Sequence, residues 1–311
     1  MELLGFVLKS VYPFFILIGL GFALRRFGFV NEAWAEISNR LVFYVALPAL
    51  LFVEISRSNL RSLYDGRLVA LVLAVFFLFA AAVWIFTRLS IANPASRGVF
   101  VQGAFRSNVA IIGLPLVDAL LGREALALSA MILAFLLPLF VLVSIFLLSY
   151  SSNPAASTRS FISKNLVSLL LNPLIHAVAL GTVVALIPQK PPALLFKPVE
   201  YLSTMTFPMS LLVLGMGMNP GRDRRHKGML AGVIFLKNLV LPAILCALAW
   251  FLGYRGNTLL ILFVVAASPT AVASYVMARA MKQDAELAAG IVFHTTLWSA
   301  LTVPLGIWIL K

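Results

Sequence analysis

The sequence has 311 residues, 62% of them hydrophobic and 11% charged, with a mean hydropathy of +1.02. Soluble globular proteins are roughly 45–50% apolar, so the composition excludes that class and predicts an integral membrane protein. The formal net charge is +13, but Lys and Arg are spread through short loops without a nucleic-acid-binding motif, so no nucleic-acid partner is expected.

Apolar runs separated by charged residues, Gly and Pro predict ten membrane-spanning helices of about 20 residues each. The first run ends at Arg25 and Arg26, whereas a cleavable signal peptide has its basic residues before the run, so we interpret it as a retained span. The ten predicted spans cover residues 5–24, 37–56, 66–88, 98–121, 125–149, 166–187, 199–219, 228–252, 257–280 and 286–310.

A polar, turn-rich stretch lies midway along the chain and predicts two halves of five spans each. The halves are residues 1–149 and 166–311, joined by a short loop over 150–165. Five is an odd number, so the second half must be inverted relative to the first. A shift of 160 residues superimposes Gly and Pro residues in corresponding spans. The superimposed pairs are Pro13 with Pro173, Gly21 with Gly181, and Pro48 with Pro208.

Gly, Pro and small polar residues interrupt the apolar pattern at corresponding places in span 4 and span 9, over residues 106–116 and 266–275. A broken helix leaves backbone N–H and C=O groups without partners, and lipid cannot satisfy them. Such breaks therefore persist where they line a polar cavity, as in secondary transporters. The pattern predicts a transporter whose binding site lies at the two breaks.

The first break carries side chains suited to a carboxylate. Arg106 lies nine residues after Arg97, about 13 Å deeper in the membrane, where an ionised guanidinium needs a cavity or a partner. Ser107 and Asn108 add neutral donors, and we expect the break at Gly113 and Pro115 to free N–H groups at a positive helix end. The alternative is a proline kink, with Asn108 bonded to a backbone carbonyl.

The second break, Ser268–Pro269–Thr270, has two hydroxyls but neither Asn nor Arg, so the predicted site is asymmetric. Its contribution is expected to come mainly from exposed backbone. Ser and Thr also satisfy a proline-kinked helix by themselves, and that alternative stays open here.

Other polar residues lie within the apolar spans. Lys237 lies midway along span 8, and we expect it to act in coupling or charge compensation because charges in the middle of a membrane are rarely idle. His294 and Asp118 are further candidates for coupling, although a hydrogen-bonded interior histidine is the simpler interpretation of His294 and His176. Glu54 and Asp118 lie toward span ends. The absence of a central carboxylate argues against a carboxylate-based cation antiporter.

Lys and Arg number 13 in the loops after spans 1, 3, 5, 7 and 9 and 9 in the other loops and ends. Under the positive-inside rule this bias places both termini on the non-cytoplasmic side of the cell membrane. The cluster Arg222, Arg224, Arg225 and Lys227 contributes most of it.

No enzyme is expected, because the sequence has no HExxH, GxSxG, paired-carboxylate or Walker A motif. The lone Cys246 lies in an apolar segment and supports no disulfide, metal site or thiol chemistry. No cofactor is expected, while proton or sodium coupling stays open. A membrane enzyme using His176 or His294 would need an acidic or nucleophilic partner. A purely structural or sensory membrane protein would have no reason for paired breaks.

Several motifs together resemble the auxin efflux carrier family. They are residues 41–52, the Arg-Ser-Asn-x4-Gly-Leu-Pro-Leu run over 106–116, Asn172–Pro173, Pro208 with Leu214–Gly215, Ser268–Thr270, and Asp284, Glu286 and Pro304. The plant members are PIN auxin exporters, and bacterial members include permeases assigned to malonate and malate. The similarity covers essentially the whole chain.

The resemblance implies an all-α membrane fold of ten helices in a 5+5 inverted repeat, related to bile-acid symporters and sodium/proton antiporters. It implies a scaffold of spans 1, 2, 6 and 7 that forms a homodimer contact, and an elevator-type module of spans 3–5 and 8–10 with spans 4 and 9 crossing. In plant members an Asn seven residues before the span 4 proline lies at the auxin carboxylate, which corresponds to Asn108 before Pro115.

Two departures limit that transfer. The central loop of about 15 residues is short, so no phosphorylation control is implied. Arg106 beside the Asn keeps dicarboxylates open as substrates. The main alternative is a sodium- or proton-coupled transporter of the bile-acid symporter or cation/proton antiporter type.

Overall fold

A computed structural model describes residues 2–57, 65–152, 173–187, 192–217 and 226–310. Within these ranges the chain is helical and contains no β-strand, although one isolated β-bridge occurs. The α-helices are α1 (Glu2–Arg26), α2 (Glu32–Leu41), α3 (Leu47–Arg57), α4 (Gly66–Ser90), α5 (Pro94–Phe105), α6 (Leu114–Ser152), α7 (Pro173–Leu186), α8 (Ala193–Thr204), α9 (Thr206–Gly217), α10 (Lys227–Phe235), α11 (Leu241–Phe251), α12 (Gly256–Ala267), α13 (Ala273–Ala280) and α14 (Ala285–Leu310). Three π-helical turns, Val42–Ala46, Val109–Gly113 and Leu236–Val240, join α2 to α3, lead into α6, and join α10 to α11.

The structure confirms a multi-helical protein suited to a membrane. Six helical segments in the described ranges are long and apolar enough to cross one: Glu32–Arg57, Gly66–Ser90, Val109–Ser149, Phe196–Gly217, Lys227–Phe251 and Ala285–Leu310. Two shorter apolar helices are Pro173–Leu186 and Gly256–Ala267. Most of the predicted central loop, the start of predicted span 6 and the basic cluster over 222–225 lie outside the described residues.

Gly122 separates the predicted spans 4 and 5 inside the long helix α6. Its φ of 78° and ψ of −173° interrupt the helical conformation, and a left-handed φ is accessible to Gly without the strain that a side chain brings. The interruption lies between the predicted spans 98–121 and 125–149.

Glycines allow two pairs of helices to approach closely. On α1 a Cβ at Gly21 would overlap the carbonyl oxygen of Leu212 on α9. Similarly, a Cβ at Gly181 on α7 would lie 3.1 Å from the carbonyl oxygen of Phe52 on α3. Because small residues let backbones pack without intervening side chains, they fix α1 against α9 and α3 against α7.

The π turn that precedes α3 contacts the start of α9. Pro48 is the second residue after this π turn, and Pro208 is the third residue of α9. The buried Thr206 hydroxyl donates to the Ala46 carbonyl at 2.8 Å, at the end of the π turn that precedes Pro48. The cross-helix bond satisfies a carbonyl next to an irregular stretch of backbone.

Aromatic side chains pack α4, α5 and α6 together. Phe140 contacts Phe76 and Phe105 edge-on, with ring centroids 5.3 and 5.8 Å apart, and all three side chains are fully or almost fully buried. Because Phe105 is the last residue of α5, this packing fixes the point at which the first predicted break begins.

Candidate functional site

The two interrupted spans meet in the structure. After α5 the backbone is extended at Arg106, and after α12 it leaves the helical conformation at Ser268. Ser107 and Thr270 form an antiparallel bridge between the two extended segments. We call residues 106–108 and 268–271, with their contacts, the crossing.

Two backbone hydrogen bonds hold the crossing together. The Asn108 N–H donates to the Pro269 carbonyl at 2.7 Å, and the Ala271 N–H donates to the Arg106 carbonyl at 3.0 Å. Backbone groups that the helix breaks leave free are thus satisfied by the other broken segment rather than by lipid.

The first break falls at the start of the predicted interruption over residues 106–116. The interruption occurs at residues 106–108, while Gly113 ends the π turn and Pro115 is the second residue of α6. The second helical segment begins with the π turn at Val109, and Pro115 follows that turn within the segment, so Pro115 does not break the helix. The positive end of that segment therefore starts near Asn108, one turn closer to the crossing.

Hydroxyl groups exchange hydrogen bonds across the crossing. The Thr270 hydroxyl donates to the Gly103 carbonyl in the last turn of α5 at 2.7 Å. The Ser107 hydroxyl approaches the Ala266 carbonyl in the last turn of α12 at 3.4 Å. Each side chain thus supplies a donor to the last carbonyls of the opposite half-helix, where intrahelical partners run out.

Lys237 reaches the crossing from the π turn between α10 and α11. Its side chain is 0% exposed, and its Nζ donates to the Ser107 hydroxyl at 2.5 Å and to the Ala266 carbonyl at 2.6 Å. The sequence singled out Lys237 as a buried charge, and the structure shows that its contacts lie at the crossing. A cation at the carboxyl end of α12 also offsets the partial negative charge of that helix end.

Asn108 presents an unused donor in the crossing. The backbone carbonyl of Asn108 accepts from the N–H groups of Ile112 and Gly113, at 3.0 and 3.3 Å. Its side chain is 4% exposed, and the amide Nδ2 finds no hydrogen-bond partner among the described residues. The Ser274 hydroxyl in the first turn of α13 is likewise buried and unpartnered within that part of the chain. Buried unpartnered donors are costly, so they mark places where a ligand is expected.

The Arg106 guanidinium is buried and has no ion pair within the described ranges. The residue is 6% exposed, and its Nη1 lies beside the Met277 sulfur and 3.5 Å from the Ser144 hydroxyl. No described carboxylate forms a salt bridge with it. A buried positive charge that has only neutral contacts attracts an anion.

An apolar contact separates the crossing from α1 and α9. Ile112 of the π turn packs with Ile18 of α1 and with Leu211 and Leu214 of α9, and Val272 borders the same cluster. The crossing therefore has a polar interior and an apolar contact with the glycine-packed pair α1 and α9.

Ser268 and Thr270 differ in their contacts. The Ser268 hydroxyl donates within its own helix to the Val264 carbonyl at 2.7 Å, as in the alternative interpretation of the second break. The Thr270 N–H donates to the Thr295 hydroxyl of α14 at 3.1 Å, so α14 also supports the crossing. Neighbouring Thr and Ser residues in an apolar span were the signal for this support, but their partners were not predictable.

The remaining candidates lie elsewhere. His294 Nδ1 lies 2.9 Å from the Gly290 carbonyl, and His294 lines a cavity of about 620 Å³ between α10 and α14 together with Asn238 and Trp298. His176 is exposed on α7. The other two residues, Asp118 and Glu54, are partly and largely buried and lie within electrostatic range of Arg123.

Comparison with known proteins identifies the family. A family model described as membrane transport protein matches residues 6–307. The chain belongs to this family. The resemblance to auxin efflux carriers that the motifs indicated is thereby confirmed over nearly the whole chain.

Several relatives are transporters by name. An uncharacterized transporter of Methanocaldococcus jannaschii is 25% identical over 308 residues, covering 95% of this chain and 96% of that protein. The uncharacterized transporter YfdV of Escherichia coli strain K12 is 23% identical, covering 99% of this chain and 98% of that protein. A "Putative malonate transporter" of Rhizobium meliloti is 27% identical, covering 97% of this chain and 94% of that protein.

Proposed function

We propose that the protein is a secondary transporter that exports or exchanges a small organic anion, a mono- or dicarboxylate, across the cell membrane. The observation that carries the proposal is the unused, buried Asn108 amide donor at a crossing of two broken helices. A carboxylate accepts hydrogen bonds from such a donor and is favoured by the N-terminal end of the segment that starts next to it.

Arg106 extends the proposal to dicarboxylates. Its guanidinium lacks a carboxylate partner among the described residues. In the chain, Arg106 and Asn108 stand on either side of Ser107. A guanidinium and an amide donor would each donate to one carboxylate of a substrate that has two. The malonate named for the Rhizobium meliloti relative is a substrate of this kind, and we place it first among candidates for this chain.

We further propose ten spans in a 5+5 inverted repeat. The same shift of 160 residues that superimposes Gly21 on Gly181 also superimposes Leu212 on Phe52, the two carbonyls that these glycines face. The contact of α1 with α9 is thus repeated by that of α7 with α3. The reciprocal hydroxyl bonds at the crossing support the same relation between the halves.

Alternating access would follow from the apolar contact. Spans 1, 2, 6 and 7 would form the scaffold and the homodimer contact, with Pro48 and Pro208 on the scaffold side of the site. Spans 3–5 and 8–10 would carry the anion. The Ile18, Leu211 and Leu214 side chains offer the crossing a surface without hydrogen bonds to break, which suits a sliding elevator motion. Both termini are proposed to lie on the non-cytoplasmic side.

Measuring electrogenic transport by the purified protein tests the proposal. Proteoliposomes on a solid-supported membrane are exposed to malonate, malate, other short carboxylates, indole-acetate and bile acids, with and without sodium and pH gradients. We expect carboxylate-evoked currents that Asn108→Ala reduces by about 10-fold or more, since a hydrogen bond to a charged group contributes about 1.5–3 kcal/mol. The exposed Asn257→Ala is the matched control. Currents evoked by sodium or protons without any anion would contradict the proposal.

A further inference from the structure

We infer that the crossing is a built cation site whose permanent occupant is the Lys237 ammonium. Three observations meet there: a fully buried primary amine, two oxygen acceptors at short distance, and the carboxyl end of a half-helix. The side chain therefore fills a place in which a free monovalent cation would otherwise bind.

The acceptors are those that a small hard cation prefers. Nζ contacts a hydroxyl oxygen of Ser107 and a carbonyl oxygen of Ala266, and these two oxygens lie 3.4 Å from each other. Oxygen ligands of this kind bind alkali and alkaline-earth ions as well as ammonium groups. They come from both broken segments, so the cation joins the two halves of the crossing.

The charge of Lys237 is compensated by dipoles rather than by an acid. No described carboxylate forms a salt bridge with Lys237. The Ala266 carbonyl lies in the last turn of α12, where the helix carries partial negative charge. In the opposite half-helix the Gly103 carbonyl accepts instead from the neutral Thr270 hydroxyl. The crossing is therefore built with a charge on one side and a neutral donor on the other.

The structure assigns this charge a consequence for energetics, which rests on the proposed function. A carrier with a tethered cation at its anion site needs no sodium ion to compensate the substrate charge. Anion-evoked currents of the wild-type protein should accordingly be the same in sodium and in choline. The cation site itself depends on the geometry alone and is testable without any substrate.

Thermal unfolding of the purified protein provides that test. Melting temperatures of the wild type, Lys237→Ala and Lys227→Ala are measured at constant ionic strength in choline, sodium, potassium or methylammonium chloride. Lys227 begins α10, is exposed and serves as the matched control. We expect Lys237→Ala to melt below wild type in choline and to gain roughly 3 °C or more, saturably, with methylammonium or sodium. The melting temperatures of the wild type and of Lys227→Ala should not change with the cation.

A second variant keeps the test decisive if Lys237→Ala does not fold. Lys237→Met retains the length of the side chain without its charge, so we expect a lower melting temperature that no cation restores. Wild-type stability of Lys237→Met would overturn the inference, as would a folded Lys237→Ala that ignores all cations or a wild type that sodium stabilises over choline. Loss of anion currents with an intact cation response would instead overturn only the proposed transport function.

Discussion

The crossing and the contact of α1 with α9 are both places where helices meet closely, but they are built from opposite chemistry. At the α1–α9 contact Gly21 and Gly215 bring the backbones together directly. A side-chain hydrogen bond there runs from Arg25, at the end of α1, to the Met216 carbonyl at 3.1 Å. At the crossing, backbone and side-chain groups exchange hydrogen bonds, and the Asn108 donor is left unused. The difference teaches that tight packing serves rigidity in the first region, whereas the second keeps hydrogen-bonding capacity for a ligand.

The largest predicted effect comes from disrupting the contact of α1 with α9. In Gly21→Ala the new Cβ would overlap the Leu212 carbonyl oxygen, and backbone cannot rotate away, so α1 must move from α9. We expect a loss of about 2 kcal/mol or more, seen as a melting temperature lower by roughly 4–8 °C. Gly19→Ala on the same helix meets no atom within 4 Å and should change little. Equal melting temperatures for the two variants would contradict the close packing of α1 and α9.

The second prediction concerns the charge at the crossing. Arg106→Gln should lower dicarboxylate currents by about 10-fold or more while affecting monocarboxylates less, because one charge-assisted contact is lost. The melting temperature should hold or rise, since a buried unpaired charge is removed. Exposed Arg40→Gln is the control in the same transport assay. An equal loss for mono- and dicarboxylates would show that Arg106 does not select the second carboxylate.

A smaller effect separates the two hydroxyls of the second break. Thr270→Val removes the donor to the Gly103 carbonyl and leaves that buried acceptor unsatisfied, at a cost of about 1–3 kcal/mol. Ser268→Ala removes a bond within one helix to a carbonyl that the Ser268 N–H already reaches, so we expect about 0.5 kcal/mol or less. Denaturation of both variants measures the difference. The reverse order would mean that the hydroxyl bond across the crossing is dispensable.

The smallest effect lies outside both regions. The Tyr254 hydroxyl donates to Asp65 at 2.7 Å, and this bond is the main cause that lowers the pKa of the Asp65 carboxyl below its usual value. Tyr254→Phe should therefore lower the melting temperature slightly at pH 7. A carboxyl group whose pKa is lowered on folding stabilises the fold at pH values above its unfolded pKa of about 4. This stabilisation is lost as the pH falls through the folded pKa, so the difference in melting temperature between wild type and Tyr254→Phe should close there. With exposed Tyr201→Phe as control, a gap that persists at low pH would contradict this assignment.

The sequence was sufficient to locate the irregular helices but not their partners. Ser268–Thr270 and residues 106–108 stand out because Pro and small polar residues interrupt long apolar runs, and backbone in lipid tolerates such breaks at few places. The bridge from Ser107 to Thr270 joins residues far apart in the chain, and no local pattern encodes it. For Pro115 the pattern misled, because the helical segment that begins at Val109 continues through Pro115 after a π turn.

Side-chain reach was similarly beyond local reasoning. Lys237 was recognisable as a lone cation in an apolar span, but a four-carbon side chain can extend toward several neighbours. The π turn Leu236–Val240 changes the helical phase at this point, and periodicity from the sequence assumes a regular helix. His294, predicted as a coupling candidate, lines a cavity between α10 and α14, and its Nδ1 lies 2.9 Å from the Gly290 carbonyl.

Equilibrium binding is the measurement that tests the central claim most directly. The anion that evokes the largest current is titrated calorimetrically into purified wild-type protein and into Asn108→Ala. The account predicts that the variant retains the wild-type melting temperature and binds about 10- to 100-fold more weakly, since its amide donor has no partner within the described chain to lose. Unchanged affinity in a folded Asn108→Ala protein would contradict the placement of the carboxylate at the crossing.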